Sequence, residues 1–260
     1  MVSGMLTLLH TSPVHVPVFD GLRDQDAAGL PLRHLVRPEL LAMARESGPD
    51  AVAEEVAGAL AGAAGDGAAA VLCTCSTIGA VAEAAGAALD LPVLRVDRPM
   101  AAAAVAAGTR ITVLATVEST LAPTAELLAA EADRAGRTVR VRAELVPGAW
   151  DRYEAGDTEG CVAAVAAAAR RVRDAGDTDA IVLAQVSIAA VADRLAADAA
   201  DGGGPVVLSS PRHGLRAAAR LTGGAAYVQG ASDGSVTTWA ADRSGPCGAR
   251  RATGSGVGLS

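Results

Sequence analysis

The chain has 260 residues, of which 51% are hydrophobic, and its formal net charge is −7. A chain of this length can bury a large core, as one large domain or two small ones. Lysine and asparagine are absent. The lack of lysine excludes a pyridoxal-phosphate Schiff base and a Walker phosphate loop, because both require that residue. The acidic charge and the 2% aromatic content argue against nucleic-acid binding, which needs basic patches and stacking surfaces.

No apolar run approaches the roughly 20 residues that span a bilayer, and the N-terminus lacks the basic start of a signal peptide. We therefore expect a cytoplasmic protein that does not bind membranes. The four cysteines are too scattered for a disulfide framework, and the four histidines show no metal-ligand spacing with them. We expect reduced thiols and no metal.

Short runs rich in Val, Leu and Ile alternate along the chain with longer Ala-rich segments of helical periodicity. This alternation is typical of βαβ units with a parallel sheet. The predicted strands cover residues 5–9, 32–36, 69–74, 92–96, 111–115, 139–145, 180–184 and 205–208. The clearest predicted helices cover residues 51–64, 119–135, 159–175 and 187–199.

The alternation restarts after residues 97–100 with a new apolar strand at Ile111. Residues 69–76 and 179–186 also share a pattern of small, then apolar, then polar side chains. When the two segments are aligned on this pattern, Cys75 corresponds to Gln185. We predict an α/β fold with two pseudo-symmetric lobes, each a mainly parallel sheet flanked by helices, and a cleft between them. Residues 231–260 lack apolar periodicity, and we expect a disordered tail there.

Cys75 ends an apolar run and opens a stretch of helical character at residues 76–83. This context places a thiol at a strand-to-helix corner. Backbone N–H groups and the positive helix end at such a corner favour a thiolate and can also hold a carboxylate. The nucleophile and an anion site are therefore expected at the same place.

Ligands of open parallel sheets bind beyond the carboxyl ends of the strands. The polar residues just past the predicted strands therefore form one candidate set. The set comprises His10, Thr11, Ser12, Cys75, Ser76, Thr77, Thr116, Ser119, Thr120, Gln185, Ser187, Ser209, Ser210 and His213.

This pattern resembles the aspartate/glutamate racemase superfamily, which includes hydantoin racemase, maleate isomerase and arylmalonate decarboxylase. The stretch Thr74-Cys75-Ser76-Thr77 is similar to the first-lobe thiol motif Ala-Cys-Asn-Thr. Residues 113–116, followed by Ser119 and Thr120, resemble the substrate-binding turn. Leu9-His10-Thr11 stands where the racemases carry an Asp-Ser pair, and residues 181–187 stand where they carry the second thiol in Gly-Cys-Thr-His.

The second-thiol position holds Gln185, which cannot act as a proton base near neutral pH. Two-thiol racemisation therefore does not fit this chain. Two chemistries remain open for a single thiol. Cys75 protonates a carbanion from one face after decarboxylation or bond cleavage, or it adds covalently to an activated double bond as in maleate isomerase.

The resemblance implies a cofactor-independent isomerase, racemase-like enzyme or decarboxylase that acts at the carbon next to a carboxylate of a small acid. Cys75 is then the acid/base or nucleophile, and His10 adjusts its pKa. The implied substrate-binding residues are Thr11, Ser12, Ser76, Thr77, Thr116, Ser119, Thr120, Gln185 and Ser187. The resemblance also implies a first lobe of residues 1–99 plus 205–230 and a second lobe of residues 100–204.

Other interpretations stay open at this point. The chain could be a carboxylate-binding protein without turnover, or an amino-acid racemase whose second base is not cysteine, and a homo-oligomer is compatible with either. Thr116, Ser119 and Thr120 could do no more than cap a helix. We interpret Cys73 as a core thiol, and the remaining histidines and cysteines as structural or surface residues, namely His15, His34, Cys161 and Cys247.

Overall fold

The computed structural model describes residues 4–198 and 204–223. The predicted tail at residues 231–260 lies outside the described residues. All eight predicted strands are present, with ends that differ from the prediction by at most two residues. None of the helices in the described part of the chain is long and apolar enough to cross a membrane.

The first lobe is built on a four-stranded parallel sheet in the order β2-β1-β3-β4. Helices follow the strands, as expected for parallel strands that need crossover connections. A short 3₁₀ turn at Pro49–Val52 precedes α3. The elements are β1 (Met5–His10), α1 (His15–Asp26), β2 (Leu32–Val36), α2 (Pro38–Ser47), α3 (Ala53–Gly65), β3 (Ala68–Cys73), α4 (Gly79–Ala88) and β4 (Val93–Arg95).

The second lobe repeats this plan with a parallel sheet in the order β6-β5-β7-β8. Short 3₁₀ turns at Glu118–Thr120 and Val186–Ile188 follow β5 and β7. The elements are α5 (Arg98–Ala107), β5 (Arg110–Ala115), α6 (Leu121–Arg134), β6 (Arg140–Leu145), α7 (Ala149–Glu154), α8 (Thr158–Ala175), β7 (Ala180–Leu183), α9 (Ala190–Asp198) and β8 (Val206–Ser209).

Backbone hydrogen bonds show which residues occupy equivalent positions in the two lobes. The Thr74 amide donates to the Leu9 carbonyl at 2.9 Å, and the Ala184 amide donates to the Leu114 carbonyl at 3.0 Å. Thr74 therefore corresponds to Ala184, and the next residues, Cys75 and Gln185, occupy equivalent positions. The internal similarity of the sequence reflects this repeated topology.

The prediction that residues 205–208 return to the first sheet is wrong. β8 pairs in parallel with β7, and Val182 lies opposite Leu208. The cause is the short βαβ crossover through α9, which places consecutive strands side by side. The chain returns to the first lobe only with α10 (Ser210–Leu221), whose Leu215 packs in the same core as Leu6 and Phe19.

The junction between the lobes contains a charged cluster. The Arg98 Nε donates to Glu83 Oε1 at 2.8 Å, and the same guanidinium forms an ion pair with Glu131. Glu83 lies on α4 of the first lobe, whereas Glu131 lies on α6 of the second. Arg98 therefore ties the two lobes together where the chain passes from one to the other.

Candidate functional site

Cys75 lies at the predicted corner between β3, which ends at Cys73, and α4, which begins at Gly79. Its side chain is 7% exposed and packs beside Cys73 and Ile78. No side chain caps the first turn of α4, so the N–H groups of this turn donate to no side-chain acceptor. The thiol is thus largely enclosed, next to an uncapped helix end.

Cys73 is the buried core thiol that the sequence predicts. It is fully buried, and its thiol donates to the Cys75 carbonyl at 3.6 Å. Burial raises the pKa of the Cys73 thiol far above its usual range. Cys73 therefore supports the Cys75 turn and is not a nucleophile.

A buried ion pair borders the same turn. Arg95 donates to both carboxylate oxygens of Asp97, at 2.6 and 2.8 Å, and reaches the Ser76 carbonyl at 3.4 Å. A Cβ at Gly79 would lie 2.9 Å from the Cβ of Arg95, so the glycine makes room for the guanidinium. Sequence reasoning missed this pair, although a charged residue inside a predicted apolar strand was a usable signal.

His10 belongs to a chain of hydrogen bonds at the end of β1. Its Nδ1 lies 2.8 Å from the Thr74 Oγ1, and its Nε2 lies 2.9 Å from the His34 Nδ1. The His34 Nε2 in turn lies 3.3 Å from the Asp20 Oδ1. His34 was interpreted as a structural or surface residue, and the structure shows that it is the direct partner of His10.

The structure corrects the expected role of His10. Both ring nitrogens have partners other than Cys75, and the ring contacts Phe19 on the α1 side of the sheet. Cys75 packs in the cluster on the opposite side, with Leu9. Burial lowers the pKa of His10 to about 3, with a smaller contribution from His34, so the imidazole is neutral at physiological pH. It is not a direct partner of the thiol.

His15 is a second histidine that the sequence interpretation set aside. Its ring centroid lies 6.0 Å from that of His10. Its Nδ1 is buried and has no hydrogen-bond partner among the described residues. Three histidines, from β1, β2 and the start of α1, therefore lie close together. Over residues 4–198 and 204–223, no group of three or more potential ligand side chains is arranged to hold a metal ion.

The equivalent end of the second lobe pairs two of the predicted residues. The Gln185 Oε1 accepts from the Thr116 backbone N–H at 2.7 Å and from the Thr116 hydroxyl at 2.9 Å. These bonds identify Oε1 as the acceptor and fix the orientation of the amide. Within the part of the chain that is described, no hydrogen bond is found for the Gln185 Nε2.

The structure gives the remaining candidates different surroundings. The Thr120 hydroxyl donates to the Val117 carbonyl at 2.7 Å and so closes its own turn. Thr11 is buried and Ser119 is exposed. The other candidates are half-buried in loops at strand ends, namely Ser12, Ser76, Thr77 and Ser187.

The model of the Asp/Glu/Hydantoin racemase family matches residues 14–218. The chain belongs to this family. A search of curated proteins finds no match.

Solved structures of racemase-superfamily proteins share the fold. An aspartate racemase homologue from Pyrococcus horikoshii superposes with a TM-score of 0.61 at 10% identity, covering 86% of this chain and 100% of that chain. A glutamate racemase from Bacillus anthracis gives 0.58 at 17% identity, covering 85% and 82%. Arylmalonate decarboxylase gives 0.53 at 22% identity, covering 85% and 94%. At these identities the likeness establishes the two-lobed fold.

In this racemase-family chain a groove of about 380 Å³ runs between α1 of the first lobe and α9 of the second. His213 and Ser209 lie along it, and the His213 Nδ1 donates to the Ser209 carbonyl at 2.9 Å. Among the described residues, no hydrogen bond or ion pair joins the His10 and Cys75 region to Thr116 or Gln185. The lobes present two separate groups of candidate residues.

Proposed function

We propose that the protein is a cofactor-independent enzyme that acts at the carbon next to a carboxylate of a small acid, with Cys75 as the acid/base or nucleophile. The observation that carries the proposal is the equivalence of Cys75 and Gln185 after β3 and β7, in a chain of the Asp/Glu/Hydantoin racemase family. One lobe supplies a group that can transfer a proton, and the other supplies a neutral amide.

Cys75 provides chemistry on one side of the substrate. As a thiol it gives its proton to a carbanion and becomes a thiolate, which regains a proton from solvent or from the next substrate. As a thiolate it adds to an activated double bond, which becomes a single bond. The adduct rotates about this bond, and elimination of the thiolate restores the double bond in the isomer. The uncapped N–H groups of α4 would stabilise either the thiolate or a substrate carboxylate.

Gln185 would bind rather than react. Its carbonyl oxygen is occupied by Thr116, so the amide presents its Nε2 donors to a ligand. Amide donors suit a carboxylate or carbonyl oxygen, but a glutamine cannot accept a proton near neutral pH. We infer that proton transfer takes place on the Cys75 side only, while Thr11, Ser12, Ser76, Thr77, Ser119, Thr120 and Ser187 contribute to the loops around the carboxylate.

A second candidate is a racemase whose second base is not cysteine, and the tautomer of His213 favours it. The Nδ1–H of His213 is used by the Ser209 carbonyl, which leaves the Nε2 as an acceptor beside the groove between the lobes. A binding protein without turnover is the third candidate, because the Cys75 thiol is only 7% exposed.

The test is uptake of deuterium by small dicarboxylic and 2-aryl acids incubated with the protein in D₂O and followed by NMR. We expect exchange, isomerisation or decarboxylation of at least one acid, and a loss of about 10²-fold or more in Cys75→Ala. Cys161→Ala, which removes a buried thiol of the second lobe, is the matched control and keeps the activity. Undiminished turnover in Cys75→Ala contradicts the role of the thiol. Saturable binding of an acid without exchange supports the binding protein.

A further inference from the structure

We propose that Asp20, His34, His10 and Thr74 form a proton relay that couples the protonation of His34, near the surface, to the hydroxyl of Thr74 at the end of β3. The inference rests on the proposed function in one respect, because Thr74 directly precedes the proposed reacting residue Cys75. Asp20, His34 and His10 would be positioning residues that act through Thr74.

The geometry of the relay is a gradient of burial. His10 and Thr74 are 0% and 2% exposed, whereas the side chains of His34 and Asp20 are 18% and 42% exposed. The three links measure 2.8, 2.9 and 3.3 Å from Thr74 outward. The charge of the protonated relay therefore lies at its more exposed end, on His34 beside Asp20.

When His34 is neutral, one direction of hydrogen bonding satisfies every link. The Asp20 carboxylate only accepts, so the His34 proton lies on Nε2 and its Nδ1 accepts from the His10 Nε2–H. The neutral His10 then has a free Nδ1, which accepts from the Thr74 hydroxyl. The direction of donation runs from Thr74 outward to Asp20.

When His34 is protonated, the inner part of the chain reverses. Both nitrogens of His34 then donate, one to Asp20 and the other to the His10 Nε2. The His10 Nε2 gives its proton to the His34 Nδ1, and the His10 Nδ1 takes the proton of the Thr74 hydroxyl, so His10 stays neutral. The Thr74 oxygen takes up the one added proton and donates it to the Leu9 carbonyl, 3.2 Å away. The two states differ by one proton, which is taken from solvent at the Thr74 oxygen and leaves the positive charge on His34.

The second lobe shows that the fold does not need these polar groups. In the register between the lobes, His10 corresponds to Ala115 and Thr74 to Ala184. His34, opposite Leu8, corresponds to Ala143, opposite Val113. Three relay positions are thus alanine in a sheet of the same strand order. The polar chain is an addition to the first lobe, which favours a role other than folding.

The charged groups around the relay lie at its outer end. Asp20 faces it from α1, and the Arg23 guanidinium lies 3.6 Å from the same carboxylate oxygen. From the remaining elements, His15 on α1 lies near His10, and Thr74 on β3 is uncharged. The arginines of α10 that approach α1, Arg212 and Arg216, are paired with Asp26.

The test is the tautomer of His10, measured by long-range ¹H–¹⁵N NMR on the full-length protein labelled with ¹⁵N-histidine. The four histidines are assigned by single substitutions. Between about pH 8 and pH 5, the range in which imidazoles usually change charge, we expect the His10 proton to move from Nε2 to Nδ1 while the ring stays neutral. A His10 tautomer that does not change over this range overturns the proposal.

Variants separate the relay from a structural role. Asp20→Asn removes the carboxylate that accepts from the His34 Nε2, so the midpoint of the tautomer change at His10 should move to lower pH. Asp24→Asn is the matched control, since Asp24 pairs with Arg23 at 2.7 Å and forms no bond to His34; its midpoint should stay unchanged. In His34→Ala the change at His10 should disappear. Equal shifts in the two aspartate variants would contradict the relay.

The measurement needs no substrate. If the tautomer change is observed but no acid exchanges deuterium, the relay stands and the proposed function fails. If acids exchange but His10 keeps one tautomer from pH 8 to pH 5, the enzyme stands and the relay fails.

Discussion

In the first lobe the position after β3 holds the thiol of Cys75, and in the second lobe the equivalent position after β7 holds the amide of Gln185. The strand ends nearby differ in the same sense. His10 and Thr74 of the first lobe correspond to Ala115 and Ala184 of the second, so at these two positions only the first lobe carries polar side chains. The buried apolar residues of the strands maintain the same fold in both lobes. The residues just beyond the strands are not needed for that fold and differ between the lobes. The comparison predicts an enzyme that transfers protons from one side.

The largest expected effect comes from making the two lobes alike. Replacing Gln185 with cysteine supplies a second acid/base at the position equivalent to Cys75, and racemisation of a suitable 2-substituted acid should rise by about 10²-fold or more. Chiral chromatography of products formed in D₂O measures the change. Gln185→Ser is the control that lacks a thiol, and the parent should give one enantiomer in excess. Rapid racemisation by the parent would show that another base acts.

Acid should weaken the first lobe before the second. All four histidines lie in β1, α1, β2 and α10, and residues 98–209 contain none. Burial lowers the pKa of His10 from 6.5 to about 3 and also lowers those of His15 and His213. The contribution of His10 to stability is therefore present above pH 6.5 and is lost as the pH falls toward 3, because the unfolded chain binds the proton, and the contributions of His15 and His213 are lost in the same direction below pH 6.5.

The loss attributable to His10 amounts to roughly 1.4 kcal/mol per pH unit within that window. In the second lobe the hydrogen bonds from Arg110 lower the pKa of Asp179 to about 2, so its contribution is lost only below about pH 4. Hydrogen exchange read by mass spectrometry between pH 7 and pH 4.5 should show β1 losing protection before β5. An equal loss of exchange protection in β1 and β5 would contradict the prediction that acid weakens the first lobe before the second.

Removing the Thr74 hydroxyl makes this position apolar, as at the equivalent Ala184 of the second lobe, and should lower the stability of the first lobe. Thr74→Val leaves the Nδ1 of the buried His10 without its partner, which costs about 1–3 kcal/mol of unfolding free energy. Urea denaturation measures the change. Thr74→Ser keeps the hydroxyl and should recover most of the loss. A change below about 0.5 kcal/mol in Thr74→Val would show that water satisfies His10.

The smallest effect is a difference among the thiols. Burial raises the pKa of Cys73 and of Cys161, which lies in the second lobe, so Cys75 should react with iodoacetamide at least about tenfold faster than either. Peptide mapping at neutral pH in a Cys247→Ser background removes the tail cysteine from the comparison. Faster labelling of Cys73 or Cys161 would contradict the assignment of Cys75.

Much of the fold follows from the sequence because the strands are short apolar runs bounded by polar residues and alanine-rich helices. The two-lobe plan and the equivalence of Cys75 and Gln185 are visible in the internal similarity of residues 69–76 and 179–186. The assignment of β8 to the wrong lobe has a physical cause. A strand of only four residues carries no information about which sheet edge it joins.

The candidate site was predicted in part. The position of Cys75 at a strand-to-helix corner and the proximity of Gln185 to the end of β5 follow from strand ends that share one edge of a parallel sheet. The hydrogen-bond partners of His10 could not be predicted from the sequence. His34 and Asp20 are separated from it by 24 and 10 residues and belong to other elements, and single charged residues on exposed faces look alike in a sequence.

The sequence by itself determined the resemblance to the racemase family, the alternation of strands and helices and the place of Cys75 at a strand-to-helix corner, because these depend on local residue types and their spacing. Only the tertiary structure decided that His10 faces Thr74 and His34 on the side of the sheet away from Cys75. It also decided that Arg98 joins Glu83 to Glu131 across the lobes. Such contacts depend on which face of a strand or helix meets which neighbour, and long-range packing sets that choice.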